Sequence, residues 1–221
     1  MDRHIDHYFD EALLALRQQI VLMCSKGQSM VADAVAALRS QDPGLADQVI
    51  ERDAAMDALE ISIDEQSLEL LVRYQPAASD LRFITRCLKI VTDLERVGDL
   101  AGNIAKRSME MAEAGGPPID LTEMAGVVQG MLKDSIDAFV TGDAEKAEAV
   151  LLRDDIVDDL TQRYVNDLID RSMREPQDIG RIFPASSVAR YLERVADHST
   201  NIAEQVIFMV KATDVRHNRL R

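Results

Sequence analysis

The chain has 221 residues, 47% of them hydrophobic and 29% charged, which suits a soluble chain with a sizeable core in one large domain or two small ones. Aromatics are only 4% and Trp is absent, which disfavours strand, whereas the abundant Ala, Leu, Met, Glu and Arg favour helix. A formal net charge of −14 repels phosphate backbones and anionic lipid, and so argues against nucleic acid or bare membrane as a partner.

The N-terminal MDRHIDHYFDEA lacks the apolar core of a signal peptide. No apolar run approaches the roughly 20 residues of a membrane span, so the expected location is the cytoplasm, without membrane insertion. Apolar residues at a period near 3.6 predict a first helix over 5–40, in which His4 and His7 carry no specific role. Asp42-Pro43-Gly44 ends it, with Asp42 as N-cap and Pro43 at the first position of a second helix over 43–74. Gln75-Pro76 separates that from a third helix over 78–113. Gly115-Gly116-Pro117-Pro118 is the natural boundary of the chain. Beyond it, Asp120 with Glu123 resembles a capping box opening a fourth helix over 120–141. Thr141-Gly142-Asp143 and Glu175-Pro176 then bracket a fifth helix over 143–173 and a sixth over 178–213. Cys24 and Cys87 lie among apolar helical residues and read as buried thiols rather than a disulfide or metal motif.

The two halves repeat each other. ERVGDLAGNIA (Glu95 to Ala105) lies over ERVADHSTNIA (Glu193 to Ala203), and Ser40 to Leu59 lies over Thr141 to Leu160 at an offset of 101 residues. The offset falls to 98 at the LER motif, so the second half is about three residues shorter before its last helix. VADAVAAL and LKDSIDAF give a weaker match between the first and fourth helices. The expected fold is all-α, a tandem pair of three-helix bundles with domains at 1–114 and 119–221.

Four acid pairs recur at i, i+4 in equivalent places: Asp53 with Asp57, Glu95 with Asp99, Asp154 with Asp158, and Glu193 with Asp197. Such residues stand one above the other on a helix face, and Asn103 and Asn201 extend the third- and sixth-helix ladders. Like charges at this spacing repel, more so where burial lowers the dielectric, so a sequence that repeats them is expected to hold a cation. Oxygen-only ligands suit hard ions such as Mg²⁺, Mn²⁺, Ca²⁺ or oxidised iron. Arg52, Arg96, Arg153 and Arg194 recur beside the acids and offer the rival account, in which ion pairs satisfy the ladders. His198 follows Asp197 but has Leu100 as its counterpart, and reads as a packing or solvent-edge histidine. Nucleophile elbow, P-loop, Cys-x-x-Cys and Glu-x-x-His are all missing from the sequence, so no catalytic residue is assigned.

SDLRFITRCLKIVTDLERVGDLAGNIA (Ser79 to Ala105) resembles the signature of the PhoU family of phosphate-signalling regulators. ARYLERVADHSTNIAE (Ala189 to Glu204) resembles its second-repeat counterpart, and Phe9 to Leu38 fits the family's opening helix. The resemblance implies two three-helix bundles related by pseudo-twofold symmetry. It implies multinuclear iron or zinc bound by Asp53, Asp57, Glu95 and Asp99 on one bundle and by Asp154, Asp158, Glu193 and Asp197 on the other. It also implies a cytoplasmic, non-enzymatic negative regulator coupling the high-affinity phosphate ABC transporter to a sensor histidine kinase. Oligomeric state is left open, a homodimer included. DIGRIFPAS (Asp178 to Ser186) departs from DLRFITRCL (Asp80 to Leu88), placing Gly180 against Arg82 and Pro184 against Arg86. A late start or a bend in the sixth helix near Pro184 is therefore expected. Two other classes remain open: a carboxylate-bridged metalloenzyme acting on a phosphoester or oxygen, and a helical interaction protein whose acids pair with arginines.

Overall fold

The computed structural model describes residues 2–115, 119–213 and 215, with side chains from residue 7 onward; the side chain of His4, residues Gly116 to Pro118 and the outer ends of the two expected domains lie outside that set. Among the described residues the chain is helical without a strand: α1 (Asp2–Ser40), α2 (Pro43–Glu51), α3 (Asp53–Tyr74), α4 (Ala78–Glu113), α5 (Thr122–Thr141), α6 (Ala144–Leu151), α7 (Asp154–Arg174) and α8 (Ile179–Lys211). No helix among these is long and apolar enough to cross a membrane.

The order of elements repeats, with α1, α2–α3 and α4 forming one bundle and α5, α6–α7 and α8 the other. Four contacts fix the directions in the first bundle. Arg17 lies over Phe83 at 3.9 Å while a Cβ on Gly27 would meet Val97, so α1 and α4 run parallel. Ser62 donates to Gln19 and Arg52 to Asp33, so α3 runs back along α1. The two bundles are joined through α4 and α8. Arg86 donates to Gln205 at 3.1 Å, His198 lies 2.9 Å from Asp93, and Arg107 hydrogen-bonds Tyr191, so the index falls along α8 as it rises along α4. The helices are antiparallel, as a twofold relation requires. Leu94, Val97, Ala101 and Ile104 on α4 and Leu192, Val195, Ser199 and Ile202 on α8 are all buried, and the core runs unbroken through both bundles.

The expected second and fifth helices are present but each is interrupted. Arg52 lies between α2 and α3, and Leu152–Arg153 between α6 and α7. Neither break carries Gly or Pro. At each, the chain tightens from i→i−4 to i→i−3 bonding: Arg52 N–H donates to Val49 and Arg153 N–H to Val150. The arginine at each break reaches back to the first helix of its own bundle, Arg52 to Asp33 at 2.6 Å and Arg153 to Asp134 at 2.5 Å. The turns ahead of the breaks are also built twice. Gln41 (φ 51°) and Gly142 (φ 68°) are left-handed, and each is followed by an aspartate N-cap, Asp42 or Asp143.

Two local expectations change. The capping box at Asp120 does not form, because α5 begins at Thr122 and Asp120 accepts from the Thr122 N–H instead. Glu123 is drawn off to Arg163 at 2.6 Å. The sixth helix does start late: a 3-10 turn over Pro176–Asp178 occupies the place of the first residues of α4, and α8 then runs through Pro184 as one helix. Proline six residues into α8 gives up only one backbone donor near the helix start. Gly180 also lets α8 approach the end of α4, where an added Cβ would stand 3.6 Å from that of Ala114.

The one letter that separates LERVGD from LERVAD has a packing cause. A Cβ on Gly98 would lie 3.2 Å from Cγ of buried Met56. The residue equivalent to Met56 is Val157, also buried, which lacks the Cε that would also stand 3.6 Å from a Cβ on Gly98, and there the LER motif carries Ala196. Gly98→Ala should therefore gain less than the about 1 kcal/mol that helix propensity offers. In a Met56→Ala background, which removes both Cγ and Cε, the same substitution should recover that gain, giving a favourable coupling of about 0.5–1 kcal/mol in a double-mutant cycle by urea denaturation. Additive effects of the two substitutions would contradict the packing account.

Candidate functional site

Antiparallel packing of α3 on α4 sets their acid ladders side by side. Asp53 feels both Asp99 and Asp57, and Glu95 feels Asp99 and Asp57, so the four expected carboxylates share one electrostatic patch. The second bundle repeats this: Glu193 feels Asp197, Asp158 and Asp154, and Asp197 feels Asp158. The grouping follows from register. Burying Leu94 and Val97 toward the core leaves Glu95 and Asp99 on the edge of α4 that borders α3.

The patches are unfavourable as carboxylates. Burial, then repulsion from Asp99, pushes Glu95 up to about 6, with Arg96 opposing. Asp53 is raised by burial and by Asp99 and Asp57, against Lys106. In the second patch burial and neighbouring acids raise Glu193 and Asp197, with Arg190 opposing at the first, and His198 and Arg194 at the second. Asp197 is exposed, so its shift is the one solvent ions screen most.

The arginines expected as rivals divide. Arg52 and Arg153 are held by Asp33 and Asp134. Arg96 does enter the first patch, 2.9 Å from Asp99 and 3.3 Å from Glu95, but its side chain is 52% exposed. It does not satisfy the buried carboxylate: Oε2 of Glu95 accepts no hydrogen bond. Sequence reasoning missed one member of this patch, Glu60, which adds its charge to Glu95. It also missed Asp64, one turn further along α3, which burial alone raises and whose buried Oδ1 lacks a donor. Their i+3 and i+7 spacing from Asp57 was visible, but the second copy has Thr161 and Val165 there, so the repeat gave no signal. That second patch opens instead into a cleft of about 380 Å³ lined by Asp158, Thr161, Gln162, Val165, Arg190 and Glu193.

Asn201 leaves the ladder expected of it. It donates to Asp93 of the other bundle at 3.1 Å, beside His198 at 2.9 Å. His198 is thus neither a ligand nor a solvent-edge residue but part of the junction between bundles. Cys24 and Cys87 are buried free thiols, both pushed well up from the ordinary thiol value, Cys24 to about 12, chiefly by burial.

Whether the patches suit a metal follows from these atoms. The donors are hard oxygens, they repel one another, and one buried carboxylate oxygen has Arg96 Nε at 3.3 Å but no hydrogen bond, all of which a hard cation would relieve. Among the described residues no three His, Cys, Asp or Glu side chains stand gathered at ligand spacing. The chemistry therefore fits, and the cage is open: side chains would have to turn inward and Arg96 swing out.

A PhoU domain model matches residues 20–108 and again residues 121–206. The phosphate-specific transport system accessory protein PhoU homolog of Pseudomonas putida is 38% identical over 224 residues, spanning 100% of this chain and 88% of that protein. The PhoU protein of the same description from Escherichia coli K12 is 32% identical, spanning 98% of this chain and 91% of that one. Among solved structures, the crystal structure of PhoU from Pseudomonas aeruginosa matches with a TM-score of 0.90 at 38% identity, covering 93% of this chain and 100% of that chain. The phosphate transport system regulatory protein PhoU from Streptococcus pneumoniae matches with a TM-score of 0.86 at 28% identity, covering 94% and 99%.

The raised Glu95 has a measurable consequence. Its folded-state value of about 6 exceeds the ordinary 4.5, so its contribution to stability is full below 4.5 and is lost as pH rises through 6. Glu95→Gln mimics the protonated form. In chelator-treated protein it should raise Tm at pH 8, by at most about 2 kcal/mol or roughly 4–8 °C, and the gain should shrink toward pH 5. A Tm that falls at pH 8 would show that the carboxylate stabilises the fold and that the repulsion is not real.

Proposed function

Because the chain belongs to the PhoU family, we propose that it is a regulatory accessory protein of phosphate transport, acting through partners rather than through chemistry of its own. The single observation that carries this is a family match that covers both repeats, with the duplicated carboxylate patch inside each matched segment. The relatives' names speak of phosphate-specific transport, so the high-affinity phosphate ABC transporter is the first partner. A sensor histidine kinase on the cytoplasmic side is the second, with the chain as the negative regulator between them.

The carboxylates are the metal-binding part of this reading. Asp53, Asp57, Glu95 and Asp99 would hold one cluster and Asp154, Asp158, Glu193 and Asp197 the other. Iron or zinc follows from the family resemblance, and Mg²⁺ or Mn²⁺ fits the oxygen donors equally. A bound cation would supply charge neutralisation across helices that otherwise repel, and so tie α3 to α4 and α7 to α8. Glu60 makes the first patch the more acidic, which predicts that it loads first.

Deletion of the gene should leave phosphate-starvation genes expressed in phosphate-rich medium. Glu95→Gln with Asp99→Asn should cut bound metal by about half by elemental analysis and reproduce part of that derepression. An unchanged metal content would remove the first patch as a site. Phosphate-responsive expression untouched by deletion, together with enzymatic turnover of a phosphoester by metal-loaded protein, would replace the regulator reading with the metalloenzyme one.

A further inference from the structure

Three large apolar side chains are exposed at the α3–α4 corner: Leu68 at 57%, Val72 at 78% and Leu81 at 43%. The α7–α8 corner exposes Ile169 at 47%, Met173 at 75% and Ile179 at 55%. These are the same positions. Leu68 and Val72 lie 101 residues before Ile169 and Met173, and Leu81 lies 98 before Ile179. Between them Glu65 stands against Asn166 and Gln66 against Asp167, while Glu69 keeps its charge as Asp170 and Arg73 is kept as Arg174. Exposed positions gain nothing from core packing, so large apolar residues kept at three equivalent places in both copies point to a surface that is covered in use.

The register links each apolar corner to the acid rows. Antiparallel pairing sets Asp57 beside Glu95 and, carried along the same helices, Val72 beside Leu81 and Met173 beside Ile179. On α3, Asp57, Ile61, Leu68 and Val72 follow at spacings of four, seven and four, one strip of the helix that begins acidic and ends apolar. On α4, Leu81, Leu88, Glu95 and Asp99 form the matching strip in reverse. The α3–α4 hairpin therefore presents an apolar tip continuous with a carboxylate row, and α7–α8 presents the same tip and row with Gln162 and Ser186 in place of Ile61 and Leu88 between them.

We propose that the hairpins α3–α4 and α7–α8 each dock one amphipathic helix of a partner protein, its apolar side on the tip and its Lys/Arg side on the carboxylate row, so that one chain takes two such helices. Charge selects this occupant. A second copy of this chain would set acid rows against acid rows, and an anionic bilayer would meet a chain of net charge −14. The antiparallel α4–α8 pairing places the two tips at opposite ends of the molecule, so both can be occupied at once. The proposal rests on the regulator reading only for the existence of a partner.

The test is titration of the full chain, in chelator and at physiological ionic strength, with a synthetic Leu/Lys amphipathic peptide of about 15 residues, the reach from Asp57 to Val72 at ~1.5 Å per residue. A Leu/Glu peptide of the same pattern is the control. Two Leu/Lys peptides should bind per chain. Val72→Ser with Leu81→Ser should weaken one site at least tenfold, and Met173→Ser with Ile179→Ser the other. These side chains are exposed, so the fold should survive; the corresponding Ala variants should show the same order of effect if a Ser pair proves unstable. Absent binding, unchanged binding in the fourfold variant, or equal binding of the Leu/Glu peptide each overturns the proposal. So does a tip-dependent loss of self-association in ultracentrifugation, or of sedimentation with phosphatidylglycerol vesicles. In cells, a fourfold variant that represses starvation genes like wild type would sink the docking surface while leaving the regulator reading intact, which only the gene deletion tests.

Discussion

Two rows of carboxylates face each other across antiparallel helices, and much of the structure serves to hold them there against their mutual repulsion. The means is the buried stripe on α4 and on α8. Leu94 and Val97 cannot leave the core without dragging Glu95 and Asp99 from their places, and Leu192 and Val195 fix Glu193 and Asp197 in the same way. Burial of these side chains contributes about 1.5–3 kcal/mol each, and the stripe's several members together outweigh the at most about 2 kcal/mol that a raised Glu95 costs, so hydrophobic burial decides the geometry and the acids follow. The breaks at Arg52 and Leu152–Arg153 belong to the same arrangement. Each starts α3 or α7 with an acid, and each turns an arginine toward Asp33 or Asp134, away from the carboxylates it would otherwise neutralise.

Most of this architecture was readable from the chain. Period, punctuation and the internal repeat gave the helices and the pairing of acid ladders, because burial and repetition both leave periodic marks. The breaks were not legible, since they carry no Gly or Pro and arise from a slight tightening of backbone bonding around an ion pair. Their partners could have been found: Asp33 and Asp134 stand at the same offset as Arg52 and Arg153 within the weakly matching VADAVAAL and LKDSIDAF segments. The junction of Asp93 with His198 and Asn201 was invisible, because the equivalent positions across the twofold are Tyr191, Leu100 and Asn103, of which only the asparagine repeats, and Tyr191 pairs instead with Arg107. Symmetric features announce themselves twice; features on the axis between copies do not.

The copies have also diverged in ways that divide their roles. Arg86 stacks on Phe208 at 3.6 Å and binds Gln205, an anchor that Pro184 cannot supply in the second copy. There the 3-10 turn, Arg171 and Arg181 close on Asp178 instead, at 2.7 and 3.4 Å. The first acid patch gains Glu60 where the second keeps a cleft with Arg190 at its edge. Two grooves of one design thus differ in charge and in room, which lets a single chain answer unequally at its two ends.

The contact of Gly98 with Met56 bears on how such a duplicated gene can change. Recombination between the halves that copied the second LER helix over the first would bring an alanine against Met56, whose side chain would have to give by a few tenths of an ångström. Correcting the first half toward its sibling one helix at a time therefore carries a packing cost that a matched change at both positions avoids. Homogenisation of the repeats is opposed at that crossing, which favours separate lineages for the two copies within one gene.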